Sequence, residues 1–362
     1  MSLSTATVTR TSSKDLFHFA RHTIPPLKLG SSAPVCYSRT IICAKMARVL
    51  LGASVMTVHV KGVATAYRPN VGTLMESLAA TAPQVEAVLL VANDGAPWSC
   101  PLPANVALVP QPKNIGLGAA YNLAAQWARE QEATHLLLLD QDSVPASGMV
   151  AALLEGFKQS GPVAAVGPLW RDSRTGEDGF FVRLVRWGAR KYKPAAGEIV
   201  PVDFLISSGS LISLAAWADI GPFDESLFIE HVDTDWTLRA RAKGYRLYGV
   251  ADARLDHALG EAALTASPLG LRRRFFLYKP ERNYYLLRNS VALWRRDYAP
   301  WRWVLHDVRR TILLMVFYGL FVPPRLARLR SMFRAVRDAL YMRKTVCVEQ
   351  EKLHDEAGQR RI

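Results

Sequence analysis

The sequence predicts an α/β fold with a mostly parallel sheet, and three observations support this prediction. Short apolar runs alternate with segments of helical periodicity from residue 58 onward. Polar clusters follow several of the apolar runs, as they do at the sheet edge where α/β proteins bind ligands. Half of the 362 residues are hydrophobic, which is enough for a large core and excludes global disorder.

The first half of the chain predicts the β-α-β repeat. We expect strands at 58–66, 85–92, 106–109, 136–139 and 163–166, and helices at 74–82, 117–130 and 147–158. Pro83 ends the first helix, and Leu123 and Trp127 lie on one face of the second. Alternation of this kind places parallel strands between helices.

The second half predicts more varied structure. Residues 171–197 are charged and contain glycine, which is typical of a long loop or hairpin. A helix is expected at 236–243, closed by Gly244, and a strand at 245–250. The resulting domain prediction is a poorly ordered basic extension at 1–45, an α/β domain at 46–271 and a basic, aromatic, mainly helical region at 272–362.

Charge and cysteine content narrow the class of partner. The formal net charge is +14, which favours nucleic acid, anionic lipid or phosphorylated small molecules. The four cysteines form no Cys-x-x-Cys pair, so a zinc cluster or disulfide framework is disfavoured and a reducing cytoplasm is the simplest interpretation. The apolar run at 312–322 is shorter than the ~20 residues that a membrane span needs.

The most informative motif follows the apolar run Leu136–Leu139. Asp140, Gln141 and Asp142 stand at the expected carboxyl end of this strand. Two carboxylates there are hard ligands for Mg²⁺ or Mn²⁺, and such a cation suits a diphosphate substrate. The alternative is an ordinary turn, because Asp-x-Asp-Ser is also favourable turn chemistry.

Two more polar clusters are expected at the same edge. Tyr67 follows the first strand, and Asn93 and Asp94 follow the second. If the strands are parallel, these residues and the 140–142 motif converge. The first two clusters could hold a base and ribose, and the third a metal-bound diphosphate.

A glycine-containing segment opens the helix at 117. Asn114, Gly116, Gly118 and Asn122 stand at this helix start, where backbone N–H groups can approach phosphate. The third glycine of a dinucleotide fingerprint is absent, and Tyr121 stands in its place. The alternative is a capped helix with tight packing.

A second acidic cluster spans residues 224–235. Glu230, Asp233 and Asp235 precede or enter a helix, so a carboxylate facing a substrate could act as a general base. Favourable interaction with the helix dipole is the competing explanation. His257 follows a strand-like segment and is either a structural histidine or part of a metal site.

These motifs together resemble the family 2 glycosyltransferases, and specifically their bacterial rhamnosyltransferase branch. The resemblance covers about residues 58–296 and is carried by the segments 138–143, 204–210 and 228–236. It implies a GT-A fold, a divalent cation (Mg²⁺ or Mn²⁺), a nucleotide-sugar donor (dTDP-L-rhamnose) and inversion at the anomeric carbon. Val232 stands where many relatives carry Glu, which leaves Asp233 as the better candidate base.

The resemblance also implies roles for single residues. Asp233 would be the catalytic base, with Asp235 supporting it. Asp94 would contact the base, Asp140 the ribose and Asp142 the metal. The full set implied for sugar-donor binding is Tyr67, Asp94, Asn114, Gly116, Gly118, Asn122, Asp140 and Gln141. The set implied for the acceptor is Ser208, Gly209, Glu230 and Arg282. The set implied for the metal is Asp140, Asp142 and His257.

The expected acceptor is a glycolipid or a lipid-linked glycan. Arginines interleave with apolar residues at 272–276 and 325–337, which suits an anionic membrane surface. The expected location is therefore cytoplasmic, peripheral at the inner face of the plasma membrane. Three alternatives are a transferase using another hexose or hexosamine donor, a catalytically inactive membrane scaffold and a nucleic-acid-binding protein. The acidic clusters and the lack of a binding motif oppose the last, so no nucleic-acid partner is expected.

Overall fold

A computed structural model describes residues 57–173, 176–257, 263–266, 273–276 and 279–342. The chain divides into Met1–Thr57 and Val58–Ile362, and every element below belongs to the second unit. The predicted extension at 1–45 and Arg272 lie outside the described residues.

The strands and helices alternate through most of the chain. The strands are β1 (Val60–Ala66), β2 (Ala87–Ala92), β3 (Val106–Pro110), β4 (His135–Asp140), β5 (Ser143–Pro145), β6 (Val163–Asp172), β7 (Phe181–Val185), β8 (Gly188–Tyr192), β9 (Ile199–Pro201), β10 (Leu211–Ser213), β11 (Arg246–His257), β12 (Ala263–Ala266) and β13 (Arg273–Phe276). The helices are α1 (Val71–Thr81), α2 (Leu117–Glu130), α3 (Met149–Gly156), α4 (Leu214–Ile220), α5 (Val232–Ala242), α6 (Pro280–Trp294), α7 (Trp301–Phe321) and α8 (Arg325–Tyr341). Short 3₁₀ turns occupy Ala82–Gln84 and Glu225–Leu227.

One large sheet forms the centre of the fold. Its strand order is β3-β2-β1-β4-β10-β6-β11-β5, and β9 pairs with β11 outside this path. The strands β3, β2, β1 and β4 run parallel, as do β6 and β11, whereas the short β10 lies antiparallel between β4 and β6. The predicted α/β fold with a largely parallel sheet is confirmed.

The apolar run of β4 is continuous because helices cover both faces of the sheet. Leu136 and Leu138 belong to one buried cluster, and Leu137 and Leu139 belong to the other. Alternate side chains of a strand point to opposite faces, so a strand buried on both sides needs apolar residues at every position. This strand carries Asp140 at its carboxyl end.

The helix of the acidic cluster begins earlier than the sequence indicates. It starts at Val232 rather than at 236, after His231 in a left-handed conformation at its N-cap. Asp233 and Asp235 therefore lie in the first turn. The helix dipole favours negative side chains in the first turn. Apolar periodicity alone does not reveal this earlier start of the helix.

Three helices follow the sheet domain. Residues of α6, α7 and α8 form a third buried cluster that includes Leu287, Phe317 and Met332. The predicted helical C-terminal region is thus present, although Arg273–Phe276 forms β13 and pairs with β12. None of the helices in the described part of the chain combines the length and the apolar character needed to cross a bilayer.

Candidate active site

Strand register brings the first three polar clusters to one edge of the sheet. Thr65 pairs with Asp140, and Ala66 pairs with Ala92. The backbone N–H of Tyr67 donates to Gln141 Oε1 at 2.8 Å. The backbone N–H of Arg68 donates to Asp94 Oδ2 at 3.0 Å. The ends of β1, β2 and β4 are therefore directly connected.

Asn93 ties this edge to the segment that opens α2. Its side chain is buried, and Oδ1 accepts a hydrogen bond from the Ile115 N–H at 2.8 Å. Its Nδ2 donates to Asn114 Oδ1 at 3.1 Å, and the same oxygen accepts from the Gly116 N–H at 2.9 Å. The sequence places Asn93 in the polar cluster after β2 but does not single it out as a site residue.

The glycines of α2 make close contacts within the protein. A Cβ on Gly116 would lie 2.8 Å from the Phe228 ring and 2.9 Å from the Phe228 carbonyl oxygen. A Cβ on Gly118 would lie 3.2 Å from the Asp224 carbonyl oxygen. Asn122 is buried and exchanges hydrogen bonds with the backbone of Phe223. These contacts match the tight-packing alternative, and sugar-donor contacts by these three residues stay predictions.

A three-residue cluster suited to a metal lies at the end of β4. One ligand atom each from Asp140, Asp142 and His257 lies within 4.8 Å of the others. His257 reaches this place because β11 pairs with β5, with His257 opposite Ser143. Its Nδ1 lies 3.7 Å from Asp142 Oδ1 and 3.0 Å from Ser143 Oγ.

The electrostatics of this cluster favour a cation. Burial raises the pKa of Asp142, the nearby Asp140 carboxylate raises it further, and His257 opposes the rise. Two crowded carboxylates and an imidazole are a suitable ligand set for Mg²⁺ or Mn²⁺, and the positive charge would relieve their repulsion. The residues present therefore fit the divalent cation that the sequence predicts.

Asp140 is held by two hydroxyl groups. Ser208 Oγ donates to its Oδ2, and the Tyr121 hydroxyl lies 3.4 Å from its Oδ1. Burial raises the pKa of Tyr121 well above its usual value, and the charges of Asp140 and Asp233 raise it further. Tyr121 therefore stays protonated beside both carboxylates. In the sequence, Tyr121 stands out only because it occupies the place of a third glycine.

Asp233 joins the same site through the neighbouring serine. Its Oδ2 accepts a hydrogen bond from the Ser207 N–H at 2.9 Å, and its Oδ1 accepts from the Thr234 N–H at 2.6 Å. Burial raises the pKa of Asp233, whereas these two hydrogen bonds and His231 oppose the rise. Ser208, the next residue, bonds to Asp140. The pair Ser207 and Ser208 therefore connects the metal cluster to residues 227–233, which we call the acidic loop.

Asp235 lies inside the protein and supports the helix that carries Asp233. It is fully buried and accepts hydrogen bonds from Arg239 Nε at 2.9 Å and from the Tyr298 hydroxyl. Arg239 in turn donates to the Pro222 carbonyl oxygen at 2.8 Å. These contacts hold Asp235 inside the protein, and its supporting function in catalysis stays a prediction.

The four residues implied for the acceptor form two pairs with different surroundings, Glu230 with Arg282 and Ser208 with Gly209. Glu230 forms an ion pair with Arg282 of α6, and the charge of Arg282 weakly opposes the rise that burial causes in the pKa of Asp142. Ser208 is buried, and Gly209 has φ +76° with Pro168 Cγ only 2.6 Å from where a Cβ would be. The second pair therefore shapes the floor of the site.

A strained turn precedes Asp233. Phe228, Glu230 and His231 all have φ near +60°, at 64°, 61° and 64°. Asn289 of α6 is buried and donates from Nδ2 to the carbonyl oxygens of residues 227, 229 and 230 at 2.9, 2.6 and 2.8 Å. Left-handed conformations of ordinary residues persist only where their surroundings hold them, so α6 positions the acidic loop.

Comparisons with known proteins bear on this site. Residues 92–210 match the model of the family described as glycosyl transferase family 2. The dTDP-rhamnosyl transferase RfbF of Shigella flexneri is 24% identical over 212 residues, which cover 58% of this chain and 69% of that protein. An uncharacterized protein of Mycobacterium tuberculosis is 27% identical over 154 residues, and the chain spans about half (54%) of its length.

Two solved structures are also similar. Residues 1–349 of S. aureus TarS give a TM-score of 0.49 at 15% identity, covering 78% of this chain and 81% of that one. GalNAc-T7 with UDP, GalNAc and Mn²⁺ gives a TM-score of 0.48 at 14% identity, covering 78% of this chain and 57% of that one. The family match at 92–210 includes Asp94, Asp140 and Asp142 and ends before Asp233.

Proposed function

The chain is a glycosyltransferase with a family 2 domain related to the rhamnosyltransferase branch, and on this premise we propose its reaction. It transfers a rhamnosyl unit from dTDP-L-rhamnose to a hydroxyl group of a glycolipid or lipid-linked glycan, with inversion at the anomeric carbon. The observation that carries this proposal is the bridge of Ser207 and Ser208 between Asp233 and Asp140. It brings a candidate base and a candidate metal cluster into one site.

The sugar donor lies along the edge formed by β1, β2 and β4. We assign the nucleoside to Tyr67, Asp94 and Gln141. Hydrogen bonds at these residues join the strand ends, so the three lie together at the edge where α/β sheets bind ligands. Asp140 is assigned to the ribose side of the diphosphate. Support for a rhamnosyl donor comes from the resemblance of the motifs and from the name of the Shigella relative.

The diphosphate lies at the cluster of Asp140, Asp142 and His257. These residues would hold Mg²⁺ or Mn²⁺. When bound, the cation supplies positive charge that stabilises the departing dTDP. Arg282, which forms an ion pair with Glu230, is assigned with that residue to the acceptor side.

Asp233 acts as the general base. It removes the proton of the acceptor hydroxyl while that oxygen bonds to the anomeric carbon and the bond from that carbon to the diphosphate breaks. One displacement of this kind inverts the configuration. A raised pKa makes a carboxylate a stronger base, and burial raises the pKa of Asp233. Tyr121 and Ser208 keep Asp140 in place during the step.

The acceptor and the location are part of the same proposal. A glycolipid or lipid-linked glycan is presented at a membrane, so the enzyme works as a peripheral protein at the inner face of the plasma membrane. Anionic lipid, rather than nucleic acid, is the partner of its basic surface.

The proposal is tested by a screen of nucleotide sugars with the purified full-length chain. We expect dTDP-L-rhamnose with Mg²⁺ to raise the melting temperature and to be hydrolysed slowly. Extracted lipid-linked acceptors should then gain one deoxyhexose mass, with inverted configuration by NMR. If only a UDP-hexose or UDP-hexosamine stabilises the protein and is turned over, that nucleotide sugar takes the place of dTDP-L-rhamnose as the proposed donor. Stabilisation by no nucleotide sugar would reject the function.

A further inference from the structure

We propose that an exposed apolar face on α7 and α8 inserts into the interface of an anionic lipid bilayer. This face, called the C-terminal apolar face, consists of Ile312, Val316 and Leu320 of α7 and Leu326, Leu329, Phe333, Val336 and Leu340 of α8. The inference rests on the proposed function for its biological purpose, because it names the surface that would meet a lipid-borne acceptor. The physical argument for lipid binding stands on the face itself.

The apolar residues of α8 recur with helical spacing on one side. Leu326, Leu329 and Phe333 are 62%, 49% and 78% exposed, and two further apolar residues continue the stripe at 336 and 340. A different stripe, formed by residues 328, 332, 335 and 339, is buried. Because that second stripe packs α8 onto the protein, the exposed one is not needed for the fold.

The two helices present one continuous surface. Leu329 of α8 lies against Gly319 of α7, with its Cδ2 3.1 Å from the position of a Cβ there. Ile312, Val316 and Leu320 lie at intervals of four on the adjacent side of α7 and are about half exposed, at 57%, 48% and 58%. An apolar surface of this length is larger than the scattered apolar residues of ordinary surfaces.

Tryptophans extend this surface at the start of α7. Trp301 stands eleven residues before Ile312, about three helical turns, so the two lie on the same side of α7. Trp301 is 57% exposed, and its ring packs edge-on against Trp187, which is 63% exposed. Tryptophan is favoured where apolar and polar phases meet, as at the surface of a bilayer.

Charge decides between lipid and a second copy of this chain. The stripe of α8 has the spacing of a coiled-coil seam, and Arg330 and Arg337 follow it at the flanking positions. In an antiparallel pair of copies these flanking arginines would face each other, and in a parallel pair Arg330 would face Arg325. Asp338, the one acid of α8, bonds to Arg337 and Tyr284 within the same chain. Lipid phosphates complement the arginines, so the face suits an anionic bilayer better.

The helical layer that would contact lipid also supports the active site. Tyr284 of α6 donates to Asp338 of α8 at 2.8 Å, and Arg334 lies over the Tyr284 ring at 4.7 Å. The same helix α6 carries Arg282 and Asn289, which hold the acidic loop. Docking through α8 would therefore bring the catalytic domain to the membrane through a direct chain of contacts.

The test is co-sedimentation of the full-length chain with phosphatidylcholine vesicles that contain or lack phosphatidylglycerol. We expect binding to the anionic vesicles that weakens at high salt. The double variant Leu326→Asp/Phe333→Asp should lower the affinity about 100-fold, about tenfold for each exposed apolar side chain withdrawn. Val71→Asp is the control, since it makes the same change at a 41% exposed position of α1.

A second variant, Arg330→Gln/Arg337→Gln, tests the charge without changing the apolar stripe and should also weaken binding to anionic vesicles. Thermal unfolding of both variants should match the wild type, because the substituted side chains are exposed. The proposal would be overturned if the wild type did not bind anionic vesicles. It would also be overturned if Leu326→Asp/Phe333→Asp bound them as tightly as the wild type does. A dimer in light scattering that the Asp double variant dissociates would assign the face to a second copy. Hydrolysis of dTDP-L-rhamnose without lipid reports separately on the proposed function.

Discussion

Asp233 is a partly buried carboxylate, and its surroundings act on its pKa in opposite directions. Burial raises its pKa, while the N–H groups of Ser207 and Thr234 stabilise the charged form. The first effect increases basicity, and the second preserves a definite orientation. Both are needed in a general base that must accept a proton at a defined position.

The substitution Asp233→Asn should remove this base. We expect the transfer rate to fall about 10²–10⁴-fold, the contribution that a positioned base usually makes. The folded state should persist, because Asn has the shape of Asp and its oxygen can still accept one of the two backbone hydrogen bonds. Transfer assays and thermal unfolding measure the two effects, and Asp219→Asn, on an exposed ion pair, is the control. Turnover near that of wild type would exclude Asp233 as the base.

The raised pKa of Asp233 also sets an expected pH dependence. The rate should fall as the pH drops through this pKa, because the carboxylate is the active form. The free energy of unfolding should change with pH in the opposite direction to the rate. A carboxyl whose folded-state pKa is raised stabilises the fold below the unfolded pKa, near 3.8, and this contribution is lost as the pH rises through the folded pKa. Rate and unfolding profiles of wild type and Asp233→Asn should differ accordingly, and superimposable unfolding profiles would contradict this.

Asp142 is expected to matter for metal-dependent binding rather than for folding. Its side chain is 39% exposed and lies in the cluster with Asp140 and His257. The substitution Asp142→Ala should abolish the part of dTDP affinity that depends on Mg²⁺, as measured by calorimetry. Asp178→Ala, which removes an exposed carboxylate paired with Arg254, should leave it unchanged. Equal Mg²⁺-dependent affinity in wild type and Asp142→Ala would remove Asp142 from the metal site.

At the scale of secondary structure elements, the start of α2 and the middle of α6 meet at the 227–231 turn. The Leu117 N–H donates to the Phe228 carbonyl oxygen at 2.6 Å, and the Phe228 ring stacks on Tyr285 with centroids 5.1 Å apart. Asn289 binds the same turn from α6. Two helices from distant parts of the chain therefore hold the turn that leads to Asp233.

Gly116 allows the close approach of α2 to this turn. Its φ of +85° and ψ of 166° are accessible almost only to glycine, and a Cβ would meet Phe228 at 2.8 Å. Gly116→Ala should lower the free energy of unfolding by about 1–3 kcal/mol more than Gly148→Ala does. Gly148 also has positive φ, at +77°, but nothing lies within 4 Å of its Cβ position. Chemical denaturation measures both, and equal losses would show that crowding at Phe228 is unimportant.

At the scale of the whole molecule, the helical C-terminal layer and the sheet domain share buried polar contacts. Arg296 Nη2 donates to Asp224 Oδ2 at 2.8 Å, and their side chains are only 2% and 10% exposed. Arg288 donates to the carbonyl oxygens of residues 226 and 227. Buried contacts of this type make the layer and the acidic loop depend on each other.

Removing one partner of the buried pair should destabilise the molecule strongly. Arg296→Met leaves Asp224 with an uncompensated charge, and breaking a buried pair costs about 3–5 kcal/mol. Lys158→Met removes an exposed pair with Glu155 and should cost at most about 1 kcal/mol. Urea unfolding would measure both. A loss for Arg296→Met no greater than that for Lys158→Met would show that the layer is not coupled through this pair.

The sequence by itself determined the elements whose pattern is local. The α2 helix spans the predicted residues 117–130, and the apolar run of β4 lies buried as predicted. The sequence also placed Tyr67, Asp94 and Gln141 at one edge, since the β-α-β repeat predicts that the strands run in the same direction. Periodicity and composition are properties of neighbouring residues, so they are readable without the fold.

Only the tertiary structure decided which polar residues share the site. Ser207 and Ser208 join Asp233 to Asp140, and Tyr121 adds a second hydroxyl beside Asp140. No local pattern connects these residues. Asp235 is also an aspartate and lies in the same helix turn as Asp233, yet Arg239 and Tyr298 enclose it. Whether a carboxylate faces a substrate or the core depends on packing between segments far apart in the chain, and the free energy of that packing is a property of the whole fold.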